Sequence, residues 1–398
     1  MSGTVEICSG VHWVGSRHPE LTVFDELFPT RCGTTYNSYL IKGSSKIALI
    51  DTVKGMFAQS FLDKLREHVA LEDIDLVVVN HTEPDHSGAL GKLLEIKPDL
   101  PVYCTKAGEK FLEELYNRKL NTVTVTEGQS IDLGGKSLQF ILAPSLHWPD
   151  TMFTYLPEDG LLFSCDAFGA HYCGEGLYND EAGAYSTEFA FYFDSIMRPF
   201  KDKIREAVAK VEKLDIAMIC PSHGPILRRN PMSFVKSYAD WSKAPDNGGR
   251  TRVLILTLSP HGNTRTMARV IEEALAAKGI ETVAKAAYET PDNELRDELE
   301  RADALLVGTP TINRDAPPPI WRALSLLSSV APKGRKAAVF GSFGWSGEAV
   351  KLVEERLKGV KFQLMAPGLC YRFHPTEENL QECREFAAKL ADSLLPAG

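Results

Sequence analysis

Over the first 245 residues, short apolar runs alternate with longer stretches in which apolar positions recur every three or four residues. Residues 37–42 (NSYLIK), 46–51 (KIALID), 74–80 (IDLVVVN), 137–143 (SLQFILA), 160–166 (GLLFSCD) and 216–220 (IAMIC) are short and rich in aliphatic side chains, which predicts strands. Stretches 56–69, 106–116 and 201–213 have the spacing of amphipathic helices. A layered α/β domain follows. From Thr251 the pattern becomes strand, loop and helix in repetition: 252–258, a helix from Thr264, then 281–287, 302–309, 336–342 and a last helix over 377–394. These four strands with intervening helices in about 145 residues predict a doubly wound parallel sheet, which binds its ligand at the carboxyl ends of the strands. Between the two patterns, Pro245, Asp246, Asn247, Gly248 and Gly249 break any helix before an abrupt apolar run. The expected domains are therefore 1–248 and 249–398.

Composition agrees with this division. A chain of 398 residues exceeds one ordinary hydrophobic core, and 44% apolar with 24% charged residues is a globular balance. Apolar runs such as Leu76–Val79 and Ala304–Val307 are strand-sized, far below the about 20 residues of a bilayer span, so no membrane partner is expected. The start, MSGTVEICSG, lacks an export signal's basic and apolar regions, which predicts a cytoplasmic protein. Eight cysteines include no C-x-x-C, which excludes zinc ribbons, rubredoxin-type iron sites and thioredoxin chemistry. Formal net charge is −9, so no cation excess exists to neutralise nucleic-acid phosphates. The acidity lies in the first part, with 24 Lys and Arg against 34 Asp and Glu; from residue 250 the balance is 20 against 19.

Candidate chemistry sits at strand ends. Strand 74–80 runs into His81-Thr82-Glu83-Pro84-Asp85-His86, 137–143 leads to His147, 160–166 ends on Asp166, and 216–220 leads to His223. Four of the ten histidines thus lie beside three acids, as expected of one metal site assembled at one edge. In an extended loop positions 81, 83 and 85 can point one way and His86 the other, so the cluster can serve two ions. His12, His18, His68 and His374 have no such company.

In the second part, Ser259-Pro260-His261-Gly262-Asn263-Thr264 follows a strand and opens a helix, an arrangement suited to phosphate. It lacks both the dinucleotide fingerprint G-x-G-x-x-G and the lysine of a nucleotide-binding P-loop. Binding phosphate by neutral donors resembles the flavodoxin mode of holding FMN. Two further loops agree: Pro310, Thr311, Ile312, Asn313, Arg314 and Asp315 after the third strand, and Ser342, Phe343, Gly344, Trp345, Ser346 and Gly347 after the fourth. Phe343 or Trp345 could flank the flavin ring, and plain packing fits either equally.

H-x-E-x-D-H with His147, Asp166 and His223 downstream resembles the flavodiiron version of the metallo-β-lactamase fold. The segment Gly33-Thr34-Thr35-Tyr36-Asn37, the block FGSFGWSGE at 340–348 and the flavodoxin-like second part extend that resemblance over the whole chain, in the two-domain form without rubredoxin or reductase modules. The fold implied is a metallo-β-lactamase-like αβ/βα sandwich followed by a flavodoxin-like sheet. The resemblance implies one iron on His81, Glu83 and His147, a second on Asp85, His86 and His223, and Asp166 bridging; sequence does not decide whether His86 binds. Glu83 stands where most zinc hydrolases of that fold have His, and a harder anionic set favours iron by ligand type. His171 and Tyr192 are candidates for groups acting in catalysis beside the metals, and a structural use fits each as well. The implied activity is reduction of dioxygen to water or of nitric oxide to nitrous oxide. Electrons would come through FMN from rubredoxin or a reductase, within a head-to-tail homodimer or dimer of dimers. One departure is visible: the family commonly has His where this chain has Phe24-Asp25, which leaves the preference between the gases open. Two rival readings remain, a zinc hydrolase fused to a flavodoxin and an electron-transfer flavoprotein without a catalytic metal.

Overall fold

The computed structural model describes residues 3–330 and 334–395, and its contacts divide the chain into two units, Met1–Lys243 and Ala244–Gly398. The first unit contains two large sheets and two short two-stranded ones, Ser16–His18 with Thr34–Tyr36 and Val23–Phe24 with Phe28–Pro29. Seven strands run in the order Val5–Cys8, Val11–Trp13, Tyr39–Lys42, Ile47–Ile50, Leu76–Val78, Val102–Cys104 and Thr122–Thr124. Five more run in the order Ser130–Asp132, Ser137–Leu142, Met152–Leu156, Leu161–Cys165 and Met218–Pro221.

Side-chain alternation explains how the sheets stack. Ala48 and Ile50 join Leu138, Phe140, Met152, Leu161 and Phe163 in one buried core between the sheets. Leu49, from the opposite face of its strand, packs with Phe61, Leu65, Leu93 and Leu112 from helices Ala58–Arg66, Leu90–Ile96 and Lys106–Tyr116. On the other sheet, Ile141, Phe153 and Leu162 pack with Phe189, Ile204, Val208 and Tyr238 from helices Ser186–Tyr192, Lys201–Val211 and Pro231–Trp241. The result is a helix, sheet, sheet, helix sandwich. Strands buried on both faces lose the alternating signal, which is why Met152–Leu156, buried at every position, shows no period-two pattern.

The second unit is one parallel sheet ordered Glu281–Ala286, Arg252–Thr257, Ala304–Pro310, Lys336–Phe343, with Gln363–Leu364 and Leu369–Arg372 both paired to the last. Helices Asp292–Arg301, Pro318–Ser325 and Ala349–Gly359 cover one face; Asn263–Ala276 and Glu377–Leu394 cover the other. The second strand lies outside the first and the third inside it. Strand order therefore reverses beside the first strand, which leaves a crevice at its carboxyl end. Among the described residues no helix is long and apolar enough to cross a membrane.

Candidate metal centre and ligand loops

The seven candidate ligands converge in two groups that share one residue. His81, Glu83, His147 and Asp166 place their ligand atoms within 4.8 Å of one another, as do Asp85, His86 and His223. In the first group, Glu83 Oε2 is 3.0 Å from His81 Nε2 and 3.1 Å from His147 Nε2. Asp166 Oδ2 is 3.7 Å and 3.5 Å from the same nitrogens. In the second, His223 Nε2 is 3.0 Å from Asp85 Oδ2, and His86 Nε2 is 3.3 Å from Asp85 Oδ1. Asp166 Oδ1 lies 3.1 Å from His86 Nε2 and 3.5 Å from His223 Nε2. One carboxylate oxygen of Asp166 thus faces each group. Donor atoms ~2.1 Å from one ion and at right angles about it lie ~3 Å apart, the spacing found here.

Local structure explains the convergence and corrects one expectation. Asp85 does not continue an extended alternation with positions 81 and 83: Pro84 opens a helical turn, Pro84–Ser87, which carries Asp85 and His86 together toward His223. Ser145 and Cys165, at φ 67° and 50°, precede the segments bearing His147 and Asp166. Left-handed backbone at such residues costs about 1–3 kcal/mol each and turns the chain sharply at the strand end.

Several supporting groups escaped the sequence reading. Asp150 accepts a hydrogen bond from His81 Nδ1 at 3.2 Å and from the Thr82 N–H at 2.7 Å, which leaves His81 Nε2 facing the centre. The Thr35 carbonyl accepts from His223 Nδ1 at 2.6 Å. Asn37 donates to the carbonyls of Pro221 and Gly224 at 2.8 and 2.9 Å, so the Gly33–Asn37 segment pins the loop that carries His223. Asp51 accepts from the Asn80 backbone and side chain, which fixes the residue before His81. An acid three residues after His147 was the one available signal for Asp150; the others depend on contacts remote in sequence.

His171 and Tyr192 also reach the centre. Tyr192 OH donates to Asp166 Oδ1 at 3.1 Å. His171 shares a hydrogen bond with Thr34 Oγ1 at 3.1 Å, stacks on Phe24 at 4.1 Å and lies edge-on to His223 at 5.1 Å between ring centroids. Burial, with the nearby His223, holds its pKa well below the usual histidine value. Asp25, at φ 50°, lines a pocket of about 130 Å³ beside the centre with Phe24, Phe28, Glu83 and Tyr192, and faces Lys54 Nζ at 3.5 Å. Burial and the charges of Asp85 and Glu83 raise its pKa.

Electrostatics marks this as a cation site. Both carboxylate oxygens of Asp85, Oδ2 of Asp166 and both ring nitrogens of His86 are buried without a hydrogen-bond partner. Buried groups of this kind are normally paired or bind metal. In the metal-free protein burial opposes charge on His81, but hydrogen bonds to Asp150 and Glu83 and the Asp166 charge outweigh it and raise the pKa to about 10. His86 is raised to about 10, against burial, by the charges of Asp85 and Asp166. At His147 the neighbouring Asp166 and Glu83 carboxylates do the same, also to about 10. Imidazoles raised from 6.5 to about 10 contribute stability that is full below the lower value and lost as pH rises through the upper. The metal-free protein is therefore expected to lose melting temperature over that interval. The metal-loaded protein, whose imidazoles are neutral ligands, is expected to lose much less; parallel melts of both forms check this, and equal losses would refute it.

The candidate ligand loops of the second unit meet at three adjacent strand ends. Gly262, at φ 83°, precedes helix Asn263–Ala276. Ser259 Oγ accepts from the Arg265 N–H at 3.0 Å, and Thr264 Oγ1 lies 2.9 Å from Ser342 Oγ, joining the first and last loops. The Thr311 N–H donates to the Ser342 carbonyl at 3.0 Å. Asn313 and Arg314 both have positive φ in a two-residue turn closed by paired hydrogen bonds between Ile312 and Asp315, as a type I′ turn requires. The Asp315 carboxylate is engaged locally, accepting from the Ala316 N–H and Trp321 Nε1. Phe343 packs so closely on Gly347 that an added Cβ would meet its ring at 3.1 Å, whereas Trp345 is 66% exposed beneath the Arg314 guanidinium. His261 and Pro310 border these loops, and His374, which had no company in the sequence, lies 3.3 Å from Asn263 Oδ1 through Nδ1.

Comparison with known proteins agrees with both units. Residues 34–224 match the family described as ODP family beta lactamase, and residues 255–386 match Flavodoxin. A type A flavoprotein of Rhodobacter capsulatus is 40% identical over 99% of this chain and 92% of its own length. A nitric oxide reductase of Moorella thermoacetica is 38% identical over 98% and 99%. The solved structure of a rubredoxin oxygen:oxidoreductase from Desulfovibrio gigas superposes with a TM-score of 0.70 at 27% identity, covering 98% of each chain. With a shared-carboxylate donor set in a β-lactamase-like sandwich, a flavodoxin sheet after it, and relatives of this identity along nearly its whole length, the chain belongs to the type A flavoprotein, or flavodiiron, family.

Proposed function

We propose that this chain is an oxidoreductase that reduces dioxygen to water, nitric oxide to nitrous oxide, or both, at two non-haem iron ions. In this reading electrons arrive through FMN from an external donor of the rubredoxin or reductase type. The observation that carries it is the position of Asp166, one oxygen toward each of two imidazole–carboxylate groups. The names of the Moorella and Desulfovibrio relatives support the two gases and a rubredoxin-type donor.

The donor set fits a pair of ions by charge. Glu83, Asp85 and Asp166 bring three negative charges to a buried place, and two divalent cations offset them. Bound iron supplies redox chemistry and a position for a diatomic ligand, and FMN supplies stored electrons. The protein's own part is orientation and shelter. His81, Glu83 and His147 would hold one ion and Asp85, His86 and His223 the other, with Asp166 serving both groups. Asp150 and the Thr35 carbonyl orient His81 and His223 through their Nδ1 atoms. Phe24, Phe28 and Ile196 wall a pocket large enough for a diatomic molecule and limit the entry of water. Tyr192 holds its proton at Asp166 Oδ1, and His171, buried and with its pKa held low, packs edge-on against His223.

In the second unit Ser259, His261, Gly262, Asn263 and Thr264 would take the FMN phosphate at the helix start. Pro310, Thr311, Ile312, Asn313 and the loop Ser342–Gly347 would border the ring, with Asp315 shaping its loop. Because Trp345 is an exposed aromatic in that loop, Trp345→Ala is expected to weaken FMN binding about tenfold. Flavin fluorescence titration reads this, and unchanged affinity would put the ring elsewhere. A cytoplasmic location and a head-to-tail homodimer, or dimer of dimers, complete the reading on the family resemblance.

The decisive experiment mixes anaerobically purified, fully reduced protein with each gas in a stopped-flow instrument after metal analysis. Multi-turnover reoxidation by one gas with about two irons per chain is expected. Stoichiometric zinc without iron, or flavin reoxidation that is indifferent to metal removal, overturns the proposal in favour of a hydrolase or a simple electron carrier.

A further inference from the structure

Cys32 and Cys173 lie in segments far apart in sequence, yet the Cys173 N–H donates to the Cys32 carbonyl at 2.7 Å. A single backbone bond of this kind keeps the two Cα atoms within roughly 7 Å, close enough to reach the ~4.4–6.8 Å that disulfides span. Both side chains are only half-buried, as are those of Cys8 and Cys370, whereas Cys104, Cys165, Cys220 and Cys383 are buried. Cys173 opens on a surface cavity of about 640 Å³ lined also by Arg17, Tyr172, Glu175 and Glu181. Arg17 steadies the loop that follows, donating to the carbonyls of Gly174, Glu175 and Gly176.

We propose that Cys32 and Cys173 form a dithiol that a hydroperoxide oxidises reversibly to a disulfide. Cys173, facing the cavity, attacks one peroxide oxygen as its thiolate; the O–O bond breaks, one water leaves and a sulfenic acid remains. The Cys32 sulfur then displaces the sulfenic oxygen, which leaves as the second water, and the S–S bond forms. Two thiols thus give up two electrons and two protons to hydrogen peroxide, which becomes two waters. Backbone pairing pre-orders the partners, so little chain entropy opposes closure. The bond also has a place to act. Cys32 stands two residues before Thr34, and Cys173 two after His171, so a crosslink ties together the segments whose side chains share the 3.1 Å hydrogen bond beside His223. This inference goes beyond the gas-reductase reading and does not depend on it.

The test treats the complete protein with hydrogen peroxide, blocks remaining thiols and maps peptides without reduction. Expected are the loss of two titratable thiols, a peptide joining residues 32 and 173, and full recovery of both thiols with dithiothreitol. In Cys32→Ser, Cys173 is expected to proceed to sulfinic acid that dithiothreitol does not reverse; Cys173→Ser should leave Cys32 largely unmodified. Unchanged thiol counts in the wild type, a crosslink between other cysteines, or reversible loss that persists in Cys32→Ser overturns the proposal. Circular dichroism of each variant separates misfolding from chemistry, and the wild-type map decides the question without either variant.

Discussion

Replacing Asp166 by Ala is expected to empty both metal positions at once. Iron should fall from about two per chain to a small fraction of one, and gas-dependent turnover should fall at least ~100-fold, more than the ~10–100-fold typical of losing an outer-shell group. The reason is geometric. Glu83 serves only the first group and Asp85 only the second, but the two Asp166 oxygens serve one each. Loss of either other acid should therefore leave the remaining position partly competent, while loss of Asp166 should not. The same change removes the acid that neighbours four imidazoles, three of them buried, and breaking a buried charge pair costs about 3–5 kcal/mol. Metal analysis with thermal unfolding of the metal-free protein separates the two consequences. Undiminished iron in Asp166→Ala would falsify the shared-ligand arrangement.

The second large effect is expected at a residue that touches no metal in this arrangement. Asp150→Ala should lower iron retention about 10–100-fold, because His81 loses the acceptor that fixes its ring and tautomer. It should also leave the buried Thr82 N–H without a partner, at about 1–3 kcal/mol. Asp150→Asn keeps an acceptor for one donor and should recover most of the stability and part of the iron affinity. Equilibrium dialysis against a competing chelator reads the affinity, and equal retention in Asp150→Ala and wild type would refute the orienting role.

These predictions rest on residues that differ in how readily the chain discloses them. The strand ends bearing His81, His147, Asp166 and His223 are legible because an apolar run stops abruptly at a polar residue, and that discontinuity is local. The parallel sheet of the second unit is legible for the same reason, since each repeat of strand, loop and helix carries its own pattern. Asp85 shows the limit: alternation along an extended loop grouped it with His81 and Glu83, and Pro84 instead opened a helical turn that delivered it to His86 and His223. Strand Met152–Leu156 and the short edge strands lacked a signal because burial on both faces, or very short length, erases periodicity.

By itself, then, the order of residues determined the architecture of two layered units, the four histidines and three acids gathered at strand ends, and the neutral phosphate-type loop. Those features depend on neighbours along the chain. Tertiary structure alone decided that Asp166 directs one oxygen to each group, that Asp150 and the Thr35 carbonyl turn two imidazoles inward, that Trp345 rather than Phe343 stands exposed, and that Cys32 meets Cys173. Each is a contact between segments distant in sequence, set by the stacking of sheets and the angle at which loops leave them, and local propensity carries no information about either.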